Sequence, residues 1–273
     1  MGAVSGEERQ DGARFLGREI RIARERRGLT QQQIGDEAGY ERSYVTHVEG
    51  GKRLASLPFA ESCDRLFETT GYFVRLREEM SERGHPGWFV PYIKLEQQAT
   101  EICDYSNSFI MGMLQTPAYA EATLRMFHPR DDEEQIKARV AARLGRHDVM
   151  ARDAPPLLWV VLHEAVLRTL VGGPAVMAEQ LEYLCAEAAS PHVVIQVLPF
   201  SAGAPAASLP FILLTLEGGE SVLYTESREG GHVNDSAAAV ASARATYDWL
   251  RAAALSPDAS LHFIRGIAEE YVR

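Results

Sequence analysis

Cysteine is scarce in this sequence. The 273 residues include three, Cys63, Cys103 and Cys185, far apart and in no C-x-x-C pair. That spacing argues against a disulfide framework or a zinc site and fits a reducing cytoplasm. Long apolar runs are also missing. The longest, such as Leu157–Leu162 and Phe211–Leu214, fall far short of the ~20 residues that cross a bilayer, so no membrane association is expected. The N-terminus lacks the apolar core of a signal peptide, and residues 1–12, polar and glycine-bearing, read as a flexible start. There is no G-x-S-x-G elbow, no phosphate-binding P-loop and no dinucleotide-binding glycine fingerprint. His163-Glu164 opens like a zinc-protease helix, but no second histidine follows one turn on. Glu164 is instead expected to pair with Arg168 four residues later. The expectation is a chain that is not an enzyme and carries no metal and no cofactor.

Positive charge is in deficit overall, with 28 Lys+Arg against 38 Asp+Glu and a net charge of −10. Its distribution is uneven. Residues 13–57 carry nine Lys+Arg and six Asp+Glu, whereas residues 58–273 carry 18 against 29. A locally basic segment on an acidic body suits modest, salt-dependent attraction to phosphate. The acidic remainder would disfavour docking in the wrong orientation.

The first 80 residues read as short helices. Leu16, Ile20 and Ala23 recur at helical spacing, and Gly28 stands at a helix stop. Thr30 suits the N-cap of a second helix over Gln31–Ala38. Gly39 permits the left-handed turn that follows, and a third helix covers Glu41–Glu49. Pro58 suits the first turn of a fourth helix, and a fifth is expected over Tyr72–Arg83. Gly35, inside the second helix, costs about 1 kcal/mol of helix propensity and implies close packing there. In the third helix Val45 and Val48 are the core anchors, which leaves Arg42, Ser43, Thr46 and His47 on an open face. Arginine can grip guanine bidentately in a major groove, and His47 can donate or accept at a base edge. Thr30, Gln31, Lys52 and Arg53 stand where helix ends and loops would meet phosphates.

This stretch resembles the Xre/Cro family, the lambdoid phage repressor type of helix-turn-helix. The resemblance spans about Phe15 to Phe73 and is carried by Arg-Gly-Leu-Thr-Gln at 27–31, Ala-Gly at 38–39 and Val-Glu-Gly-Gly-Lys-Arg at 48–53. It implies a five-helix lambda-repressor-like domain, with a structural ion pair between Arg24 and Glu49 and double-stranded DNA as partner. Two departures stand out. Glu41 replaces the usual Ser/Thr at the start of the recognition helix. Tyr44 is bulkier than usual on the DNA side, where it joins the expected backbone contacts.

Beyond the polar Arg83-Gly-His-Pro-Gly87 break the pattern changes. Leu95, Ala99, Ile102 and Phe109 suggest a helix, Thr116-Pro117 opens another, and Asp131–Glu134 precede a third. Leu157–Leu162 and Val193–Leu198 read as strands, and Gly218-Gly219 joins a hairpin. Pro174, the Asn234-Asp235 pair and Ser256-Pro257 each mark a helix start. Arg139, Arg143 and Arg146 form a basic stripe, either solvated or facing an acidic partner, a ligand or DNA. Trp88, Trp159 and Tyr224 belong to a core or line a pocket. This region is similar to the uncharacterised C-terminal domain of actinobacterial WhiJ-like regulators. Its carriers are Met113-Leu-Gln-Thr-Pro-Ala-Tyr-Ala120, Leu162-His-Glu-Ala-Val-Leu-Arg168, Gly172-Gly-Pro174, Gln196-Val-Leu-Pro-Phe-Ser201 and Ala253-Ala-Leu-Ser256. Met111-Gly112 departs from the usual Pro-Gly.

The expected fold class is α+β, mostly helical. A flexible N-terminus at 1–12 precedes a helix-turn-helix domain at 13–83, a linker at 84–92 and a mixed α/β effector and oligomerisation domain at 93–273. The expected function is cytoplasmic, sequence-specific transcriptional regulation by a homodimer, tuned by a small molecule or by a small protein encoded nearby. The alternative is an antitoxin-like or anti-regulator module that acts mainly by binding such a partner protein.

Overall fold

In a computed structural model the described residues are 12–51, 53–83 and 87–272. The expected flexible segment therefore lies outside them, apart from Gly12, which opens the first helix. The chain divides into two compact units. One runs up to Gly87 and takes in Phe127–Gly145; the other is Trp88–Met126 with Arg146 onward. The fold class is α+β, as expected.

The first unit begins with five helices: α1 (Gly12–Arg26), α2 (Gln31–Ala38), α3 (Arg42–Glu49), α4 (Leu57–Phe67) and α5 (Tyr72–Arg83). Their core is Leu16, Ile20, Ile34, Val45, Val48, Phe59, Phe67 and Phe73 with smaller neighbours. Ser56 caps α4 by accepting from the Phe59 N–H, and Pro58 sits in its first turn, where a missing N–H costs nothing. Asp64 is buried yet fully used. One of its oxygens accepts from the backbone of Phe73, the other from Val74, which pins the start of α5 to α4.

The second unit opens with α6 (Val90–Glu96), which occupies part of the expected linker. Residues 84–86 of that linker lie outside the described residues. Then come β1 (Ala99–Ser106) and α7 (Pro117–Phe127). The next helix, α8 (Glu133–Gly145), groups with the first unit rather than with the remainder of 93–273. A sequence pattern shows that a helix has an apolar face, but not which body that face will meet. The chain continues through β2 (Leu157–His163), α9 (Glu164–Arg168), α10 (Pro174–Glu187), β3 (Val193–Leu198), β4 (Phe211–Leu216), β5 (Ser221–Ser227), β6 (Gly230–Asn234), α11 (Ala237–Ala253) and α12 (Pro257–Val272).

The six strands form one sheet in the order β3-β2-β1-β4-β5-β6. The β1–β2 and β2–β3 pairs are parallel and the others antiparallel. Ile102, Leu158, Val160 and Ile195 face one core, which they share with Met177, Leu181, Ile264 and Ile267 of α10 and α12. Cys103, Tyr105, Val161 and Leu213 face the other, with Tyr247 and Leu250 of α11. Ala99–Ser106 is a strand where the sequence suggests a helix, because a strand covered on both faces shows no polar alternation. No described helix is long and apolar enough to cross a membrane.

One core holds a cluster of charge. Arg146 is clamped by Glu96, with Nε to Oε2 at 2.9 Å and Nη2 to Oε1 at 2.6 Å. Its guanidinium lies 5.1 Å from the ring centre of Phe89 and 5.4 Å from that of Tyr92. The Tyr92 hydroxyl donates to Glu96, at 2.5 Å. Burial pushes Asp104, on β1, up to about 7; the nearby Glu226 and Glu96 add to the push, and the Ser106 hydroxyl and Arg146 oppose it. The same carboxyl in an unfolded chain titrates near ~3.9. Between those values the folded state retains a proton that the unfolded state has lost, so stability falls as pH rises from about 4 to about 7 and then levels off. Asp104→Asn is expected to flatten that slope and to raise stability at pH 8, measured by urea denaturation across pH.

Candidate nucleic-acid interface

The interface is built from α2, the turn at Gly39 and α3. Thr30 caps α2 in a reciprocal box. Its Oγ1 accepts from the Gln33 N–H at 3.2 Å, and the Gln33 side chain accepts from the Thr30 N–H at 2.8 Å. Gly39 closes the helix in the left-handed region at φ 75°. The space at Gly35 is taken mainly by the turn itself. A methyl there would lie 2.6 Å from the Tyr40 carbonyl oxygen, while Val45 is at ordinary contact, 3.4 Å.

In α3, Val45 and Val48 are fully buried. Arg42, Ser43, Thr46 and His47 are exposed. Among the described residues no hydrogen-bond partner is seen for the side chains of Arg42 or His47. Glu41 is exposed too. It stands at the N-cap but makes no capping bond, and its carboxylate accepts from the Ser43 hydroxyl at 3.3 Å.

The position of α3 is fixed from behind. The Arg24 side chain is 12% exposed and that of Glu49 3%. Nε of Arg24 donates to Oε1 of Glu49 at 2.5 Å and Nη2 donates to Oε2 at 3.0 Å. The third guanidinium nitrogen donates to the Leu29 carbonyl at 2.8 Å, which ties the α1–α2 loop into the same clamp. Hydrogen bonding to Glu49 holds the guanidinium above its ordinary value. Gly17 of α1 lets α3 approach, since a methyl there would stand 2.1 Å from the Val48 carbonyl oxygen.

Three of the expected backbone contacts need restating. Tyr44 turns inward. Its ring stacks on Tyr40 at 4.3 Å and meets the edge of Phe59 at 5.2 Å, and its hydroxyl oxygen accepts from the Ser56 N–H at 2.7 Å. An aromatic ring gains more by burying its face here than by reaching a groove. Gln31 is half-buried and engaged within the protein: its amide nitrogen donates to Glu49 at 2.9 Å and its oxygen accepts from the Thr46 hydroxyl at 3.1 Å. Lys52 lies outside the described residues. Arg53 is exposed, with its guanidinium 4.9 Å from the Tyr44 ring centre. Sequence reasoning missed Tyr40 and Ser56, whose hydroxyls meet at 2.7 Å and back the turn. Nothing in their spacing announces that pairing.

In the second unit several buried polar side chains are bonded to backbone. Gln180, fully buried, accepts from the Thr116 N–H at 2.7 Å and donates to the Leu114 carbonyl at 2.7 Å. Gln196 accepts from the Trp159 indole N–H at 2.8 Å and donates to the Leu255 carbonyl at 2.8 Å. Glu164 bonds Arg168 at 2.7 Å and accepts from the Phe200 N–H at 2.8 Å, which joins two motifs. Trp159 and Tyr224 face opposite sides of the sheet and line no common pocket. The expected arginine stripe does not form. Its helix ends at Gly145, Arg146 is buried against Glu96, and Arg139 bonds Asp131 at 2.7 Å.

Residues 89–266 match a family described as a domain of unknown function, DUF5753. The chain belongs to this family. Residues 16–78 match a helix-turn-helix domain, which supports DNA binding and transcription regulation for this DUF5753 protein. Comparison with curated proteins and with solved structures finds no match.

Removing Glu49 strands a nearly buried guanidinium. Glu49→Ala is expected to cost about 3–5 kcal/mol. Gly17→Ala forces α1 from α3 and is expected to cost about 1–3 kcal/mol. Denaturant melts of the full chain, followed by a probe in the first unit, check both.

Proposed function

We propose that this protein is a cytoplasmic, sequence-specific transcriptional regulator of the Xre/Cro type, allied to the actinobacterial WhiJ-like group. Its helix α3 enters the major groove of double-stranded DNA, with Arg42, Ser43, Thr46 and His47 at base edges and Thr30, Lys52 and Arg53 at phosphates. The observation that carries this reading is the polar, exposed face of α3 above two fully buried valines, clamped from behind by Arg24 and Glu49. A helix fixed so firmly, yet with its outer side chains uncommitted to the core, suits recognition of a rigid groove.

Reading two half-sites about 34 Å apart needs a dimer. Exposed apolar side chains on the second unit, Leu209 at 67% and Trp249 at 72%, support a role for it in contact with another chain. In this reading the second unit is not an enzyme; it transmits the presence of a small molecule or a partner protein.

The test is footprinting of the full chain on its own promoter region at two salt concentrations. A protected, salt-sensitive site is expected. Arg42→Ala should weaken it by about 1–3 kcal/mol and relax one base pair. Arg53→Gln should weaken all sequences alike and lower the salt slope by about one. No protection at low salt would remove the regulator reading.

A further inference from the structure

The clamp behind α3 has a direction, and it ends on a residue of the open face. A guanidinium can only donate hydrogen bonds and an ionised carboxylate can only accept them. Arg24 therefore fixes Glu49 as an acceptor, through bonds at 2.5 and 3.0 Å. The two ends of a glutamine amide have the same shape, so only their partners can tell them apart. With Glu49 as the acceptor at 2.9 Å, the Gln31 NH2 must face it. The Gln31 oxygen is then left facing Thr46 at 3.1 Å. The Thr46 hydroxyl has a single hydrogen, and two acceptors compete for it inside the protein: the Gln31 oxygen and the Arg42 carbonyl, at 3.0 Å. Only lone pairs remain for the outside.

We infer that Thr46 is an acceptor-only reader, held in that polarity by the Gln31 oxygen together with the Arg42 carbonyl, and that it selects a base presenting an amino group at its position in the major groove. Adenine N6 and cytosine N4 are the two amino donors there, whereas guanine O6 and N7, adenine N7 and thymine O4 are acceptors. A freely rotating threonine would serve either kind. Gln31 thereby becomes a positioning residue and not a phosphate contact. This inference rests on the DNA-reading role proposed above.

The experiment selects a duplex from a random-sequence pool with the full chain. Each adenine in it is then replaced by purine, and each cytosine by 2-pyrimidinone, analogues that lack only the amino group. At one position the loss is expected to weaken binding about three- to tenfold. Thr46→Val should weaken the natural duplex by the same factor and should add nothing on the analogue duplex. Gln31→Met, assayed well below its own melting temperature, removes one of the two internal acceptors and should lower, without abolishing, the amino preference at that position alone. If no analogue position couples to Thr46, or if the coupling follows 7-deazapurine substitution, which removes the N7 acceptor, the inference is overturned. A Gln31→Met variant that weakens all sequences equally restores Gln31 as a phosphate contact and overturns its positioning role. Failure to select any duplex overturns the DNA-reading role itself, and the inference with it.

Discussion

Behind the exposed face of α3 lies a pair of charges almost out of contact with water. Isolating either Arg24 or Glu49 there would be costly, and what makes the pair tolerable is that their remaining hydrogen-bonding positions are also filled, by the Leu29 carbonyl and the Gln31 amide. The consequence is geometric. Bidentate pairing leaves little rotational freedom, so α1, the α1–α2 loop, α2 and α3 are held at one point. Hydrophobic contact through Val45 and Val48 supplies most of the attraction between these helices but tolerates sliding. The ion pair adds register, and with it the orientation of whatever the outer face touches.

The second unit solves a different problem. Its sheet is covered on both faces over β1–β4, and several of the loops around it are held by buried polar side chains. Gln180, Gln196, Glu164 and Ser260 do this by bonding main-chain atoms far away in sequence. Gln196 opens the Gln-Val-Leu-Pro-Phe-Ser motif, and Gln180 holds the backbone of the Gln-Thr-Pro motif at Thr116. These contacts hold loops in place.

Much of the first unit was legible in the sequence because its signals are local. Thr30 with Gln33 spells a capping box, Gly39 a turn, and the valines at 45 and 48 one buried face; each lies within four residues of what it acts on. The helix-turn-helix framework followed from these. Tyr44 was not legible, since an aromatic side chain on a helix can bury its ring or expose it, and the deciding contacts come from Tyr40, Phe59 and the Ser56 N–H. In the second unit the hairpin at Gly218-Gly219 and the apolar strand Leu157–Leu162 declared themselves. Strand β1 did not, because burial on both faces erased its alternation, and Leu95, Ala99 and Ile102 happened to fall at helical spacing. Arg146 looked like the end of a surface stripe; Gly145 stops the helix one residue earlier and releases it into the core.

The grouping of Phe127–Gly145 with the first unit makes both units discontinuous along the chain. A ribosome delivers residues in order, so the side chains of the first core, Leu16 to Met80, are all present well before α8 is made. When α8 follows, β1 and α7 of the second unit have been made too, still without the strands that flank β1 on either side. That strand must therefore wait, unpaired, until β2 and β4 emerge. A fragment cut near residue 87 would keep every side chain of the first core and lose only the 127–145 segment.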